Sequence, residues 1–394
     1  MKRHRIAWAF AAVACLAVPA TAQSLRPDEV LSSVAISAIS QPNPVLGADG
    51  RVHLAYELMV SNPGHVFVTL DKLEAVDPAG ASLWSLEGDA LTRMTIFFSG
   101  SDALPPGGLA AIFMDVTFAA DATLPETVSP RLTITRQGVG GDGTPAAWPS
   151  DAPVAATVTF TGPGVGIGEP AVVVEPPLRG KGWLAGAGCC NGITSHRGAV
   201  MAVNGLVRVP ERFAIDWVQF DKDGRIFTGD GKKNEDFPYY GTEVYAAADG
   251  TVVNLYDEAD AQEPGKIVGI TTDNIGGNMI VTDIGGGRFA FYAHLQRGSL
   301  RVKLGDKVKT GDVIALLGNT GNTDAPHLHF HVMDGPSPLD ANGLPYVFTH
   351  FGSTGMLTNE EGVIKGEAAR IDASRLAGEH ENELPLNDEV VDFD

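Results

Sequence analysis

The chain has 394 residues, with 28 Lys and Arg against 48 Asp and Glu, and its formal net charge is −20. Nucleic-acid binding needs a basic stripe, and the sequence contains none, so this composition argues against a nucleic-acid partner. The length exceeds that of a usual single domain. We therefore expect two domains with tails, each domain large enough to bury a core.

The first 22 residues have the pattern of an export signal. Basic residues precede an apolar run from Ile6 to about Ala20, and Ala20-Thr21-Ala22 fits a small-residue cleavage site. We expect this signal peptide (1–22) to be removed and the mature chain to be periplasmic or secreted. A lipid anchor on Cys15 is the alternative, which the better cleavage site further along disfavours. No later segment holds the about 20 apolar residues of a transmembrane helix, so the mature protein is expected to be soluble or peripheral.

Residues 23–161 alternate short β-type runs with turns rich in Gly and Pro. The segment from Val52 to Val60 alternates partly, and the segment from Ala110 to Phe118 is apolar. Strands at this spacing, without helical patterns, predict an immunoglobulin-like β-sandwich. His53 and His65 stand alone in this region, and we interpret them as ordinary surface or packed residues.

Three further segments complete the predicted organisation. The Gly- and Pro-rich stretch 162–181 is typical of a linker. A second β-rich region covers 182–352, and the acidic segment 353–394 is predicted to be a solvated, partly disordered tail. The only cysteines of the mature chain are the neighbours Cys189 and Cys190. Because neighbouring cysteines seldom bridge each other, we interpret them as structural and leave their bonding state open.

The segment from Ala325 to Val332 places His327, His329 and His331 at alternate positions. In an extended strand alternate side chains share a face, so the three imidazoles would project together while the residues between them pack into the core. A strand of this kind can present a metal site. An exposed polar face is the alternative for the histidines taken alone.

Other segments of the second region also contain residues that could belong to such a site. They are His196 in Ser195-His196-Arg197, Asp216 in Ala214-Ile215-Asp216-Trp217, His294 in Tyr292-Ala293-His294-Leu295, and the turn Gly318-Asn319-Thr320-Gly321-Asn322. Together these motifs, which extend from about 182 to 332, resemble the lysostaphin/LytM-type zinc metalloendopeptidases, a family that cuts the peptide portion of bacterial cell walls. Most members have the Asp four residues after the His. Here His196 and Asp216 are twenty apart, as in a subgroup with an insertion between the two.

With the sandwich predicted from strand spacing, the resemblance implies an all-β chain in which the sandwich precedes an antiparallel β-sheet peptidase domain. It also implies one Zn²⁺ per chain, with His196, Asp216 and His329 as ligands and with His294 and His327 as catalytic residues. This agrees with the chemistry of the side chains, because two histidines and one aspartate leave a fourth zinc position for water.

Several other polar residues are weaker candidates for the metal site. His331 stands where the family often has Glu or Gln, and we expect it behind a ligand or at the surface rather than as a fourth ligand. Asp221 and Asp223 lie in a segment that is typical of a turn. His350 and His380 match no part of the pattern.

The function implied is zinc-dependent hydrolysis of peptide bonds in peptidoglycan cross-links or stems. One alternative is a catalytically inactive relative that activates a cell-wall amidase. Such relatives usually lose zinc ligands, whereas this chain retains a candidate at all five positions, so the enzyme is favoured. Another alternative is a zinc peptidase that acts on proteins. The sandwich could position substrate, bind a cell-envelope protein or cover the groove, and the sequence does not decide among these roles.

Overall fold

The structure is a computed structural model that describes residues 29–394. The predicted export signal and its alternative at Cys15 lie outside the described residues. Among the residues described, none of the helices combines the length and the apolar character needed to cross a membrane. Strands dominate and helices are few and short, so the all-β class is confirmed.

Residues 35–166 form two antiparallel sheets that enclose one apolar core containing Leu54, Tyr56, Ile112 and Leu132. Their elements in chain order are β1 (Ala35–Ala38), β2 (Pro44–Leu46), β3 (Arg51–Ser61), β4 (Phe67–Val76), β5 (Ser82–Glu87), α1 (Gly88–Arg93), β6 (Thr95–Phe97), β7 (Ala103–Leu104), β8 (Leu109–Ala119), β9 (Thr127–Val139), β10 (Pro145–Ala146), β11 (Thr157–Thr161) and β12 (Val165–Gly166). One sheet has the order β1-β3-β8-β6, with β2 beside β3, and the other has the order β10-β9-β4-β5, with β7, β11 and β12 attached. The region is thus a two-sheet sandwich, and its immunoglobulin-like character stays a prediction.

Strand β3 is buried on both faces, which explains why its sequence alternates only partly. Its even-numbered residues, such as Leu54 and Tyr56, point into the sandwich core. By the two-residue period of a strand, His53 and Glu57 lie on the opposite face, yet they are only 4% and 0% exposed. That face packs against the second region, where the Arg212 Nε lies 3.6 Å from the Glu57 Oε2.

His53 lies between two carboxylates on this face. Its Nδ1 is 2.9 Å from the Asp115 Oδ1, and its Nε2 is 3.1 Å from the Asp49 Oδ1. Burial alone would lower the pKa of His53, but the hydrogen bonds to Asp115 and Asp49 outweigh it and raise the pKa to about 9. His53 is therefore a packed residue, whereas His65 is exposed.

We expect His53→Gln to remove part of the pH dependence of stability. Because the pKa of His53 is raised to about 9 in the folded state, its stabilising effect is complete below pH ~6.5 and is lost as the pH rises through ~9, a difference of about 3 kcal/mol. Urea unfolding at about pH 6 and about pH 10 measures this dependence. The exposed His65→Gln is the control and should behave like wild type. An identical pH dependence in both variants would contradict the assignment.

The second region is built on a 13-stranded sheet. Its elements are β13 (Val172–Val174), β14 (Gly180–Gly186), β15 (Met201–Val203), β16 (Leu206–Arg208), β17 (Ile215–Gln219), a 3-10 helix (Asn234–Asp236), β18 (Glu243–Tyr245), β19 (Gly250–Tyr256), β20 (Asn278–Gly285), β21 (Arg288–Leu295), β22 (Lys307–Val308), β23 (Val313–Leu316), β24 (Leu328–Met333), β25 (Gly343–Leu344), β26 (Tyr346–Leu357), α2 (Glu360–Ile364), β27 (Ile371–Asp372), β28 (Gly378–Glu383) and β29 (Glu389–Phe393). The sheet runs in the order β13-β26-β29-β14-β17-β24-β21-β20-β19-β22, and β25, β27 and β28 attach to it. Its pairs are antiparallel except for β13 with β26, as the family resemblance implies for the central strands.

The predicted linker contains strands, and the cysteine pair that follows it is bonded. In the stretch 162–181, β12 pairs with β9 of the sandwich and β13 pairs with β26 of the large sheet. Cys189 and Cys190 form a disulfide with each other, contrary to the expectation that neighbouring cysteines seldom bridge. Both cysteines are buried. The domain boundaries before residue 352 stay predictions.

The acidic segment 353–394 is not a tail. Strand β26 continues to Leu357, and β29 lies between β14 and β26 inside the large sheet. In β29, Val390, Val391 and Phe393 are 1%, 0% and 3% exposed. The prediction of a solvated, partly disordered tail is therefore wrong. Most acidic residues of this segment lie at exposed or half-buried positions, although Glu389 is 0% exposed, and Val390, Val391 and Phe393 complete the core.

We expect Phe393→Ala to cost about 3–5 kcal/mol of unfolding free energy, although it lies beside the last residue of the chain. Its ring lies 5.2 Å from the Trp217 ring and 5.5 Å from the Phe348 ring, centroid to centroid. Urea unfolding measures the loss, with Ile371→Ala, at a 41% exposed position, as the control. A cost below about 1 kcal/mol would mean that β29 adds little to the core.

Candidate metal centre

Neighbouring strands of the large sheet bring the predicted site residues together. Asp216 of β17 lies directly opposite His329 of β24, and His329 lies opposite Ala293 of β21. Directly opposed residues have neighbouring side chains, and His294 follows Ala293 at the end of the same strand. The loop between β14 and β15 supplies His196. The pairing of these strands therefore determines the geometry of the site.

His196, Asp216 and His329 converge on one point. The His196 Nε2 lies 3.3 Å from the Asp216 Oδ1, and the His329 Nδ1 lies 3.1 Å from the same oxygen. The three candidate ligand atoms all lie within 4.8 Å of one another. His196 and His329 are only 5% and 4% exposed, whereas the Asp216 side chain is 28% exposed. One small cation could contact all three groups at the floor of a cleft.

Hydrogen bonds orient both imidazoles for this purpose. The His196 Nδ1 lies 3.0 Å from the carbonyl oxygens of Ala187 and Ala214. Carbonyl oxygens only accept hydrogen bonds, so the Nδ1 donates to them and the Nε2 is the nitrogen that faces Asp216. On the other ring, the His329 Nε2 lies 2.9 Å from the His331 Nδ1, which leaves the His329 Nδ1 free to face Asp216.

The electrostatics of the cluster suit a cation. Burial would raise the pKa of Asp216, but His196 and His327 outweigh it and hold the pKa well below its ordinary value. Burial would likewise lower the pKa of His196, but Asp216 raises it to about 9. The carboxylate therefore stays ionised, and its field favours a positive charge among the rings. A metal ion would supply that charge in place of protons.

His294 and His327 form a second pair of rings beside the first cluster, with centroids 4.6 Å apart. The His294 Nδ1 donates to the Thr320 carbonyl oxygen at 2.8 Å, and the His327 Nδ1 donates to the Ala325 carbonyl oxygen at 2.9 Å. The His294 Nε2 is thus the ring nitrogen left for other partners, and the His327 Nε2 lies 3.3 Å from the Asp216 Oδ1. His294 also has a φ of 64°, in the left-handed region that costs a non-glycine residue about 1–2 kcal/mol. Its backbone amide donates to the Gly276 carbonyl oxygen at 3.0 Å, which helps to hold this conformation.

His331 lies behind the cluster rather than at the surface. It is 1% exposed, packs its ring 5.1 Å from the Phe291 ring and hydrogen-bonds His329. Burial, with His329 and His196 nearby, holds its pKa well below the ordinary value. A neutral His331 that accepts from the His329 Nε2 supports that ring, as the sequence interpretation allowed.

The other polar candidates lie outside the cluster. The Asp221 carboxylate accepts hydrogen bonds from the backbone amides of Asp223 and Arg225, the pattern of a turn. His350 is paired with Glu379 across neighbouring strands. His380 is hydrogen-bonded to Glu383.

Two cavities meet at the cluster. One, of about 230 Å³, is lined by the site histidines together with Glu211, Phe291 and Leu339. The other, of about 550 Å³, shares Asp216 and His327 with the first, and helix α2 supplies part of its apolar wall. Sequence reasoning missed α2, because it placed this helix in a solvated tail. Val363, which is 1% exposed, was the apolar residue that could have indicated a buried position there.

Two histidines and one carboxylate that converge in a cleft, with two more histidines beside them, define a candidate catalytic metal centre. The comparisons with known proteins agree with this class. Residues 234–341 match the family model described as Peptidase family M23, which confirms the resemblance found in the sequence. This segment contains His294, His327 and His329, whereas His196 and Asp216 precede it.

Similar proteins include a named peptidoglycan endopeptidase and a lysostaphin. The chain is 34% identical over 101 residues to the peptidoglycan DD-endopeptidase ShyA of Vibrio cholerae, which covers 26% of this chain and 20% of that protein. It is 36% identical over 97 residues to lysostaphin of Staphylococcus simulans, which covers 24% of this chain and 18% of that protein. The solved catalytic domain of that lysostaphin aligns with a TM-score of 0.23 and 25% identity, over 41% of this chain and 86% of the domain. The chain spans a quarter or less of the length of these two curated relatives.

Proposed function

We propose that this protein is a zinc-dependent endopeptidase that hydrolyses peptide bonds in the cross-links or stems of bacterial peptidoglycan. The observation that carries the proposal is the convergence of the ligand atoms of His196, Asp216 and His329 within 4.8 Å, beside the paired rings of His294 and His327. Matches to Peptidase family M23 and to named peptidoglycan endopeptidases support a hydrolase of this substrate class.

The residues present fit zinc. A neutral imidazole nitrogen from each of two histidines and one carboxylate oxygen are ligands that zinc accepts, and three protein ligands leave room for water and substrate. His196, Asp216 and His329 would hold the ion. When bound, zinc supplies Lewis-acid polarisation of the scissile carbonyl and lowers the pKa of a nearby water to about 7.

His294 and His327 would carry the proton transfers. In each ring the Nδ1–H donates to a backbone carbonyl oxygen. The Nε2 is therefore the atom able to exchange a proton with the substrate or to donate to a developing oxyanion. The left-handed backbone of His294 and the neighbouring carbonyl of Thr320 hold its ring before substrate arrives. Such preorganisation is what a site needs to stabilise a transition state rather than a ground state.

The inactive regulator is the less favoured function. A binding module has no need for converging ligand atoms or for histidines whose tautomers are held by the backbone, so these features support the enzyme. We further propose that the enzyme works outside the cytoplasm, because peptidoglycan lies there and residues 1–22 have the pattern of an export signal.

The decisive experiment measures zinc and murein digestion together. The mature protein and His327→Ala are purified, their zinc content is determined, and murein fragments are read by mass spectrometry. We expect about one zinc per chain in both proteins, and a digestion rate at least about 100-fold lower in the variant. Equal digestion by both proteins would end the catalytic assignment, and zinc binding without digestion by wild type would favour the regulator.

A further inference from the structure

A carboxylate from the sandwich lies buried between two arginines of the peptidase region. Glu57 of β3 is 0% exposed, and Arg197 and Arg212 are 1% and 2% exposed. The Arg197 Nη2 lies 3.7 Å from the Glu57 Oε1, and the Arg212 Nε lies 3.6 Å from the Glu57 Oε2. These distances exceed hydrogen-bond length, so the carboxylate acts by compensating charge. Its carboxylate accepts a hydrogen bond from the Ser40 hydroxyl, at 2.6 Å.

Both arginines also bind backbone carbonyls of the sandwich. The Arg197 Nη2 donates to the Met114 carbonyl oxygen at 2.9 Å, and the Arg212 Nη2 donates to the Ala55 carbonyl oxygen at 2.5 Å. These are central residues of β8 and β3. The guanidinium groups therefore enter the sandwich where a charge is costly unless it is paired, and Glu57 is the carboxylate that pairs with both.

The arginines lie on the two segments that hold a candidate metal ligand. Arg197 directly follows His196, and its Nη1 donates to the carbonyl oxygens of Cys190 and Gly192 in the same loop. Arg212 lies two residues before Ala214, whose carbonyl oxygen accepts from the His196 Nδ1. Movement of either segment would displace the His196 ring from Asp216.

We propose that Glu57 is a positioning residue of the metal centre, supplied to the peptidase region by the sandwich. Its charge holds Arg197 and Arg212, and through them it holds the loop that carries His196 and the carbonyl that orients its ring. The sandwich is then a fixed support of the site rather than a detachable binding module. This inference rests on the proposed function, because it takes His196 to be a metal ligand.

The test compares Glu57→Gln with Glu74→Gln in the full mature chain. Glu74 also pairs with an arginine, Arg131, at 2.8 Å, but within the sandwich and away from the site. Zinc dissociation constants come from competition with a chromophoric chelator, and Co²⁺ loading adds the visible spectrum of the ion. We expect Glu57→Gln to raise the dissociation constant about 10–100-fold and to alter the Co²⁺ spectrum, while Glu74→Gln stays within about 3-fold of wild type.

A second readout needs no metal. In the metal-free protein, amide hydrogen exchange of the segment 187–198 should be faster in Glu57→Gln than in Glu74→Gln, because the loop has lost its anchor. Glu57→Asp keeps the charge on a shorter side chain and should give an intermediate zinc affinity. If Glu57→Gln does not fold, Glu57→Asp decides: weaker zinc binding at an unchanged melting temperature supports the proposal, and unchanged binding overturns it.

The remaining outcomes are also decisive. Wild-type zinc affinity in Glu57→Gln would overturn the positioning role and leave the proposed function standing. Equal weakening by Glu57→Gln and Glu74→Gln would show general destabilisation and would also overturn it. A wild-type protein that binds no zinc would overturn both the proposed function and this inference.

Discussion

Replacing His329 with Ala is expected to abolish zinc binding and to lower kcat/KM for murein at least about 10³-fold. His329 is the central member of the site, because its Nδ1 faces Asp216 at 3.1 Å and its ring lies 4.8 Å from the His196 ring, centroid to centroid. Its removal leaves two candidate ligands and an unfilled position at the floor of the cleft. We therefore expect the zinc dissociation constant to rise by more than the about 100-fold typical of a lost supporting group.

The control for His329→Ala is His350→Ala. His350 also lies on a strand of the large sheet, but its side chain is 42% exposed and pairs with Glu379 away from the cleft. Its variant should keep wild-type zinc content and digestion. Zinc content by atomic absorption and murein fragments by mass spectrometry separate the two variants. Full zinc occupancy in His329→Ala would show that the metal, if one binds, is held by other residues.

The alternate histidines and the family resemblance together predicted a set of site residues, and the structure brings these residues close to one another. The alternate histidines of β24 predict a shared face, and the register sets Asp216 opposite His329. The spacing between His196 and Asp216 in the sequence does not indicate that the two side chains lie close together. In the structure the intervening chain contains the hairpin β15–β16, from 201 to 208, so a long separation in sequence spans a short distance in space.

Glu57 could not be found from the sequence, because its arginine partners lie about 140–155 positions later in the chain. A glutamate at the centre of a partly alternating strand is typical of a solvated face. Only the packing of that face against a second region turns it into a buried charge. The prediction of a tail at 353–394 was wrong for a related reason. It relied on the net acidity of the segment and gave too little importance to the β-branched pair Val390-Val391 in its last strand.

The second large effect is expected from His294→Ala, which should lower kcat about 10²–10⁴-fold while zinc content stays at the wild-type level. His294 is not among the three residues whose ligand atoms converge, and its Nδ1 is held by the Thr320 carbonyl oxygen at 2.8 Å. Its removal should therefore spare the metal and remove a group that acts on protons or on the oxyanion. Metal analysis and steady-state kinetics on a soluble murein peptide measure the two quantities separately.

Combining His294→Ala with His327→Ala tests whether the two rings act as one unit. Their centroids lie 4.6 Å apart, and both rings line the same cavity. If both rings are needed for the same proton transfer, the double variant should be hardly slower than either single variant. The rate losses from residues that act as one unit are strongly non-additive. Multiplied losses would instead assign the two rings independent steps. A loss of zinc in His294→Ala alone would move His294 from the catalytic pair to the ligand set.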